Sequence, residues 1–259
     1  MNYWKQSNEN IFVAAHRGWR SKYPENTMAA FRAAVELGVD QIETDVRVTK
    51  DGELVLIHDA AVDRTTNGSG LVCDMTFAEL RALDAGNGEQ IPTLTELLEL
   101  VKDHPTITLD IELKEYPTEG REALAYSVCD RTLKLLEAYA FAHRCVINTW
   151  SGKLHEYVQK TYGNTYKQHV YYPQKHLGVC NEDPYRYAYW TCVFGVLEGT
   201  TSVEEVKQLH EQSGVRIWAG AYAKDEKTVE LAVEIGAELI TCDNPDEVLA
   251  ILRKKNLHE

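Results

Sequence analysis

The chain has 259 residues, 44% hydrophobic and 26% charged, with 40 acidic against 27 basic residues and a formal net charge of −13. That length is ample for one large domain or two small ones, and the composition is that of a soluble globular protein. The acidic balance argues against general binding to nucleic acid or to an anionic membrane, both of which need a basic footprint, so an anionic substrate would need local help from a metal and one or two placed cations.

Strand and helix patterns alternate along almost the whole chain. Residues 11–15 form a short apolar run ending in His16 and read as a strand. Residues 26–37 carry Met28, Phe31, Ala34 and Val35 at helical spacing, with Gly38 as a stop. Residues 41–48 alternate as a strand, Asp51-Gly52 signals a turn, and residues 53–57 read as a second strand leading to His58. Residues 60–90 are rich in Thr, Asn, Gly and Asp, with a short helix near 77–83, and read as an insertion returning at Ile91-Pro92. Thr93 and Glu96 have the spacing of a capping box for a helix to about residue 103.

Strands are then expected at 106–113, 144–149, 165–171, 191–196, 215–219 and 238–242. Helices are expected at 121–140, 151–161, from a second capping box at Ser202 and Glu205 to 212, at 225–235, and after Asn244-Pro245. Residues 172–190, aromatic and Pro-containing, show no period that assigns them. About eight βα units in roughly 250 residues point to an α/β fold of the TIM-type (β/α)8 barrel class, with a small insertion after the second strand region. No linker divides the chain, so residues 1–259 are expected to form one domain. A doubly wound open sheet is the alternative, but no glycine-rich dinucleotide loop follows the first strand.

The opening residues, Met1-Asn2-Tyr3-Trp4-Lys5-Gln6, hold no long apolar run, and no segment reaches transmembrane length. A cytoplasmic protein without a signal peptide or stable membrane insertion is therefore expected. The six cysteines, irregularly spaced and without a C-x-x-C pair, read as reduced thiols, several of them buried.

The chemistry concentrates in the first half. His16-Arg17-Gly18 and His58-Asp59 each end an apolar strand and bracket Glu43-Thr44-Asp45. Glu43 and Asp45, two apart on a strand, share a face and can hold a hard divalent cation; a solvated edge strand or an ion pair with Arg47 is the plainer alternative. Asp110, Glu112 and Lys114 also share a face, where a cation and an anionic substrate, or an internal Glu–Lys pair, would offset the cost of burying charge. A lone strand-end histidine is more often structural or exposed, but His16 and His58 on either side of the acidic strand read as an acid/base pair. Arg17 can clamp phosphate oxygens, and Gly18 would let the backbone approach a ligand. Glu25, in Pro24-Glu25-Asn26-Thr27, either orients a catalytic group or favours the helix dipole. Trp150 and Trp218 lie near strand ends, as pocket walls or as packing. Asp243 is sufficiently explained as turning the chain before Asn244.

Together these motifs resemble the glycerophosphodiester phosphodiesterase family. The likeness is carried by His16-Arg17-Gly18, Pro24-Glu25-Asn26-Thr27, Glu43-Thr44-Asp45-Val46, His58-Asp59, Ile91-Pro92-Thr93-Leu94 and Ile111-Glu112-Leu113-Lys114, with a weaker tail match at residues 240–246. The resemblance implies a TIM-type barrel and hydrolysis of glycerophosphodiesters to sn-glycerol 3-phosphate and an alcohol. It implies one divalent cation, Mg²⁺ or Ca²⁺, held by Glu43, Asp45 and Glu112; oxygen ligands favour these over Zn²⁺. It implies His16 and His58 as general acid and base, in either order, and Arg17 and Lys114 as phosphate contacts. Trp218 is read as a substrate contact. The chain departs from the family's Trp-Thr-Val-Asn-like run with Trp218-Ala219-Gly220-Ala221-Tyr222, and segment 165–190 is also unusual. Both departures bear on the substrate, not the reaction type.

Two routes fit the residues: direct activation of water, or activation of the glycerol 2-hydroxyl to give a cyclic phosphate that water opens. The expected partner is a small-molecule glycerophosphodiester, not nucleic acid, and the reading leaves room for a homo-oligomer. Rival readings are a phospholipase D-like enzyme acting on lysophospholipids or sphingomyelin, and a non-catalytic phosphodiester-binding protein.

Overall fold

The computed structural model describes Trp4, residues 10–221 and residues 223–259. Most of the opening stretch read for a leader lies outside the described residues, as does Tyr222 of the run 218–222. Strands β1 (Phe12–His16), β2 (Gln41–Val48), β4 (Thr108–Leu113), β5 (Cys145–Asn148), β6 (Lys167–Tyr172), β7 (Trp190–Val193), β8 (Arg216–Ala219) and β9 (Ala237–Cys242) pair in parallel, and β1 pairs with both β2 and β9, closing the ring. The short strand β3 (Leu54–Leu56) runs antiparallel to β2 outside the ring. The expected barrel is therefore the observed fold.

The strands are buried on both faces, as parallel strands sheathed in helices must be. Along β4 the odd residues Leu109, Ile111 and Leu113 join the apolar layer beneath the helices, while Asp110 and Glu112 occupy the opposite face. A second apolar cluster, with Ala14, Val146, Trp190, Trp218 and Leu239, brings together residues of β1, β5, β7, β8 and β9. The insertion has a small core of its own: Val62, Val72, Leu80 and Ile91 pack with Val55 and Ile57.

Helices α1 (Met28–Leu37), α2 (Phe77–Arg81), α3 (Leu94–Val101), α4 (Glu122–Ala138), α5 (Gly152–Tyr162), α6 (Val203–Ser213), α7 (Glu226–Glu234) and α8 (Pro245–Lys254) connect the strands. The capping box of α3 forms: Glu96 N–H donates to Thr93 Oγ1 at 3.1 Å and Thr93 N–H to the Glu96 carboxylate at 2.8 Å. Such a cap contributes about 1 kcal/mol and fixes the start from which Leu94, Leu97, Leu98 and Val101 turn inward.

The box expected at Ser202 forms only by half. Ser202 accepts from the Glu205 N–H at 3.1 Å, but the Glu205 carboxylate accepts a hydrogen bond from the Tyr172 hydroxyl. One βα unit also lacks its helix. Between β6 and β7 the chain makes only 3₁₀ turns at Gln174–Leu177 and Pro184–Arg186. Pro173 and Pro184 remove backbone donors, and without a 3.6-residue apolar period no helix face could be buried there.

Candidate active site

The carboxyl ends of the strands open into a cavity of about 550 Å³ whose lining includes His16, Arg17, Glu43, His58, Glu112, Lys114 and Trp218. Seven of the eight residues assigned metal, acid–base or substrate roles from the sequence thus face one space. The eighth, Asp45, is fully buried just behind it and belongs with Glu43 and Glu112 to one carboxylate cluster. Register explains the convergence: His16 stands beside Glu43, and Asp45 beside Glu112, on neighbouring strands.

Each histidine is held the same way. His16 Nδ1 is 2.6 Å from Asp243 Oδ1, and His58 Nδ1 is 2.6 Å from Asp59 Oδ1. A carboxylate at Nδ1 places the proton there in the neutral ring and leaves Nε2 for a ligand. His16 Nε2 lies 3.9 Å from Glu43 Oε2, aimed at the acidic cluster. Burial pushes His58 below its ordinary value, against the pull of Asp45. Asp243 is thus more than a chain-turning residue. Its contact spans 227 positions and has no local signal. Asp59, adjacent in the His58-Asp59 motif, could have been read from adjacency alone.

One oxygen from each of Glu43, Asp45 and Glu112 lies within 4.8 Å of the other two, and all three residues are buried. Burial, reinforced by Asp45 and Glu112, pushes the Glu43 carboxyl well above the ordinary range. Burial likewise raises Glu112 to about 7 against the opposing pull of Lys114. Burial would raise Asp45 too, but Lys114, Arg17 and the Asn26 amide outweigh it and hold it low. Burial thus favours the protonated forms of Glu43 and Glu112 unless a cation compensates their charge, and Asp45 Oδ1 meets only the Lys114 ammonium, at 3.1 Å. Oxygens on opposite sides of a Mg²⁺ or Ca²⁺ ion are about 4–5 Å apart, so this donor set fits one hard divalent cation.

The Glu–Lys alternative is also realised. Lys114 Nζ pairs with Glu112 and lies 3.1 Å from Asp45 Oδ1. These carboxylates outweigh the burial penalty and hold its pKa above the ordinary lysine value. Arg17 contacts Asp45 at 3.2 Å and Glu25 at 2.9 Å, and its backbone N–H donates to Glu43 at 2.9 Å. Glu25 thus orients Arg17 rather than merely facing a helix dipole. Arg47 does not pair with Glu43 or Asp45; it donates to the carbonyls of His58 and Lys114 and to Glu115.

Gly18 serves packing. Its φ is +74°, and a Cβ there would sit 2.8 Å from Ala30, so only glycine lets this turn lie against α1. Asn26, also at positive φ, donates to Asp45 at 2.8 Å and accepts from Thr44, tying the same loop to the acidic strand.

Aromatic rings form the opposite wall. Trp150 stacks on Tyr171 at 4.4 Å, and Phe194 lies 5.5 Å from Trp150. Trp218 is both wall and packing: it donates to Thr241 at 2.7 Å and stacks on the buried ring of His169 at 4.6 Å. Tyr171 and Phe194 were not legible as wall residues, because an aromatic on a strand reads equally well as core.

Comparison with known proteins places this arrangement. Residues 16–247 match the model of the glycerophosphoryl diester phosphodiesterase family. A glycerophosphodiester phosphodiesterase of Caldanaerobacter subterraneus subsp. tengcongensis is 33% identical over 93% of this chain and 98% of its own. One from Bacillus altitudinis is 48% identical over 39% of this chain and 44% of its own. A phosphodiesterase of Oleispira antarctica, solved with the product sn-glycerol-3-phosphate, superposes with a TM-score of 0.76 at 22% identity, covering 93% of this chain and 96% of that one. The chain belongs to the glycerophosphoryl diester phosphodiesterase family and is a phosphoric diester hydrolase.

Proposed function

We propose that the chain, acting as one barrel domain over residues 1–259, hydrolyses glycerophosphodiesters to sn-glycerol 3-phosphate and an alcohol, with His16 and His58 as the acid–base pair. The observation that carries this reading is the matched pair of histidines, each fixed at Nδ1 by an aspartate and both facing a cavity that also holds buried carboxylates and the cations Arg17 and Lys114. The product complex of the Oleispira protein supports the same product.

Glu43, Asp45 and Glu112 would hold one Mg²⁺ or Ca²⁺, which when bound supplies positive charge against the phosphate. Arg17 and Lys114 share the negative charge that develops on the phosphoryl oxygens. One histidine removes a proton through Nε2, from water or from the glycerol 2-hydroxyl, and the other delivers a proton to the leaving oxygen. The aspartates stabilise whichever ring becomes cationic. Trp218, Trp150 and Tyr171 exclude water and pack against the non-reacting part of the substrate. Among the described residues no helix is long and apolar enough to cross a membrane. We infer a small-molecule substrate met in the cytoplasm.

The test is product formation. Purified protein with glycerophosphoethanolamine should release glycerol 3-phosphate with Mg²⁺ or Ca²⁺, lose this activity in EDTA, and lose it in Glu43→Ala. A bell-shaped pH–rate profile is expected, and the limb set by His58 should fall below the ordinary histidine value. A flat profile from about pH 5 to 9, with chemistry rate-limiting, would remove the histidine pair.

A phospholipase D-like action on lysophospholipids or sphingomyelin is the second reading. It is favoured by a groove of about 450 Å³ that shares Tyr116 and Trp150 with the cavity and is walled by Leu177 and Val179. Faster turnover of a lysophospholipid than of glycerophosphoethanolamine would select it.

A further inference from the structure

Arg64 carries the insertion back to the active site. Arg64 lies between the loop after β1 and the loop after β3. Its Nε donates to Asp59 Oδ2 at 2.5 Å, its Nη2 to Glu25 Oε1 at 2.7 Å and its Nη1 to Glu25 Oε2 at 3.1 Å. Both carboxylates are already engaged on the cavity side. Asp59 uses its other oxygen to hold His58 Nδ1, and Glu25 holds Arg17 Nη1 at 2.9 Å. One planar guanidinium therefore braces the support of a histidine and the support of a phosphate-facing arginine.

We propose that Arg64 is a positioning residue for the hydrolytic reaction, setting the orientation of His58 through Asp59 and of Arg17 through Glu25. This rests on the reading that His58 and Arg17 work in the reaction.

The chemistry of the pairing supports it. Glu25 is held down to about 2: burial would raise it, and hydrogen bonds from Arg64 with the charges of Arg17 and Arg20 more than reverse that. Glu25 is thus a fixed anion at any working pH, and a fork of donors is the group that locks both of its oxygens. Arg64 is 46% exposed, so solvent screens its ion pairs and they contribute little to stability. A residue that scarcely stabilises the fold can still govern a rate, because displacing a reacting group by about 1 Å costs on the order of 100-fold.

The experiment compares Arg64→Ala, Arg64→Lys, His58→Ala and Asn67→Ala for kcat, KM and thermal unfolding. Asn67 holds the insertion to itself through the Asp84 N–H at 2.9 Å and touches neither carboxylate. Arg64→Ala should lose about 10–100-fold in kcat/KM, mainly in kcat, by analogy with removal of a residue that orients a metal-bound histidine. Its unfolding midpoint should stay within a few degrees of the parent, and millimolar guanidinium ion should restore part of the rate. Arg64→Lys should remain impaired, since an ammonium cannot fork across two carboxylates, and Asn67→Ala should keep the parent kcat.

Parent-like kcat in Arg64→Ala or Arg64→Lys, with His58→Ala inactive, would overturn the inference and leave the functional reading intact. Loss in Arg64→Ala that follows unfolding, with Arg64→Lys fully active, would overturn it as well. Full activity in His58→Ala would remove the functional reading, and this inference with it.

Discussion

Around the barrel mouth, β1, β2 and β4 face the cavity with His16, Glu43 and Glu112, whereas β6, β7 and β8 face it with Tyr171, Cys192 and Trp218. The two arcs are stabilised by different means. The aromatic arc rests on its own packing: Trp218 is stacked on His169 and hydrogen-bonded to Thr241, and Trp150 lies on Tyr171. The charged arc is not self-sufficient, because burial pushes Glu43 and Glu112 toward their protonated forms. Solvent composition should therefore act on one arc, and changes of shape on the other.

The sharpest way to break this division is to remove one of the two proposed proton carriers. His16→Ala or His58→Ala should cost about 10²–10⁴ in kcat, measured with saturating cation, while leaving thermal stability nearly unchanged. If both variants keep their rates, the charged arc is not where the chemistry occurs. Removing the groups behind the rings should cost less. Asp243→Asn and Asp59→Asn are each expected to lose on the order of 10–100-fold in kcat, with little change in KM.

A smaller effect separates the arcs by stability. Glu43 and Glu112 have folded pKa values above their unfolded ones, so the metal-free folded state binds more protons than the unfolded state from about pH 4.5 upward. Their ionisation then makes the metal-free protein lose stability as pH rises through about 7. The thermal midpoint should fall from pH 5 to pH 8, and Glu112→Gln should flatten that slope. Each 1 kcal/mol corresponds to roughly 2–4 °C in a chain of this size. Divalent cation should raise the midpoint more at pH 8 than at pH 5; an equal rise would mean the carboxylates do not gather the ion. The smallest change is expected on the other arc. Trp150→Ala should raise KM roughly two- to tenfold, as befits one lost ring contact, and leave kcat and the cation response alone.

The same contrast decides how much was legible beforehand. Short motifs on strands, such as Glu43-Thr44-Asp45 and Asp110-Ile111-Glu112, report their face directly through the period of two, and the strand–helix alternation reported the barrel. What escaped was tertiary or ambiguous. Asp243 meets His16 only because the ring closes, Arg47 is diverted by backbone carbonyls that no pattern reveals, and the close packing of Gly18 on Ala30 is set by the fold. The wall residues Tyr171 and Phe194 carry no signal that separates lining from core. Residues 172–190 resisted assignment for a physical cause: prolines and 3₁₀ turns leave no period to detect.

The His16–Asp243 contact also has a meaning in time. A chain made from its amino end presents His16 early, but the carboxylate it leans on arrives only with the last strand, 227 residues later. Fragments ending before β9 would carry almost every chemical group yet lack an aligned one, so turnover would report that the ring had shut. Nascent or clipped forms lacking β9, without the closed ring or the partner of His16, would turn over far more slowly, and the appearance of full activity could serve as a clock for completion of the barrel.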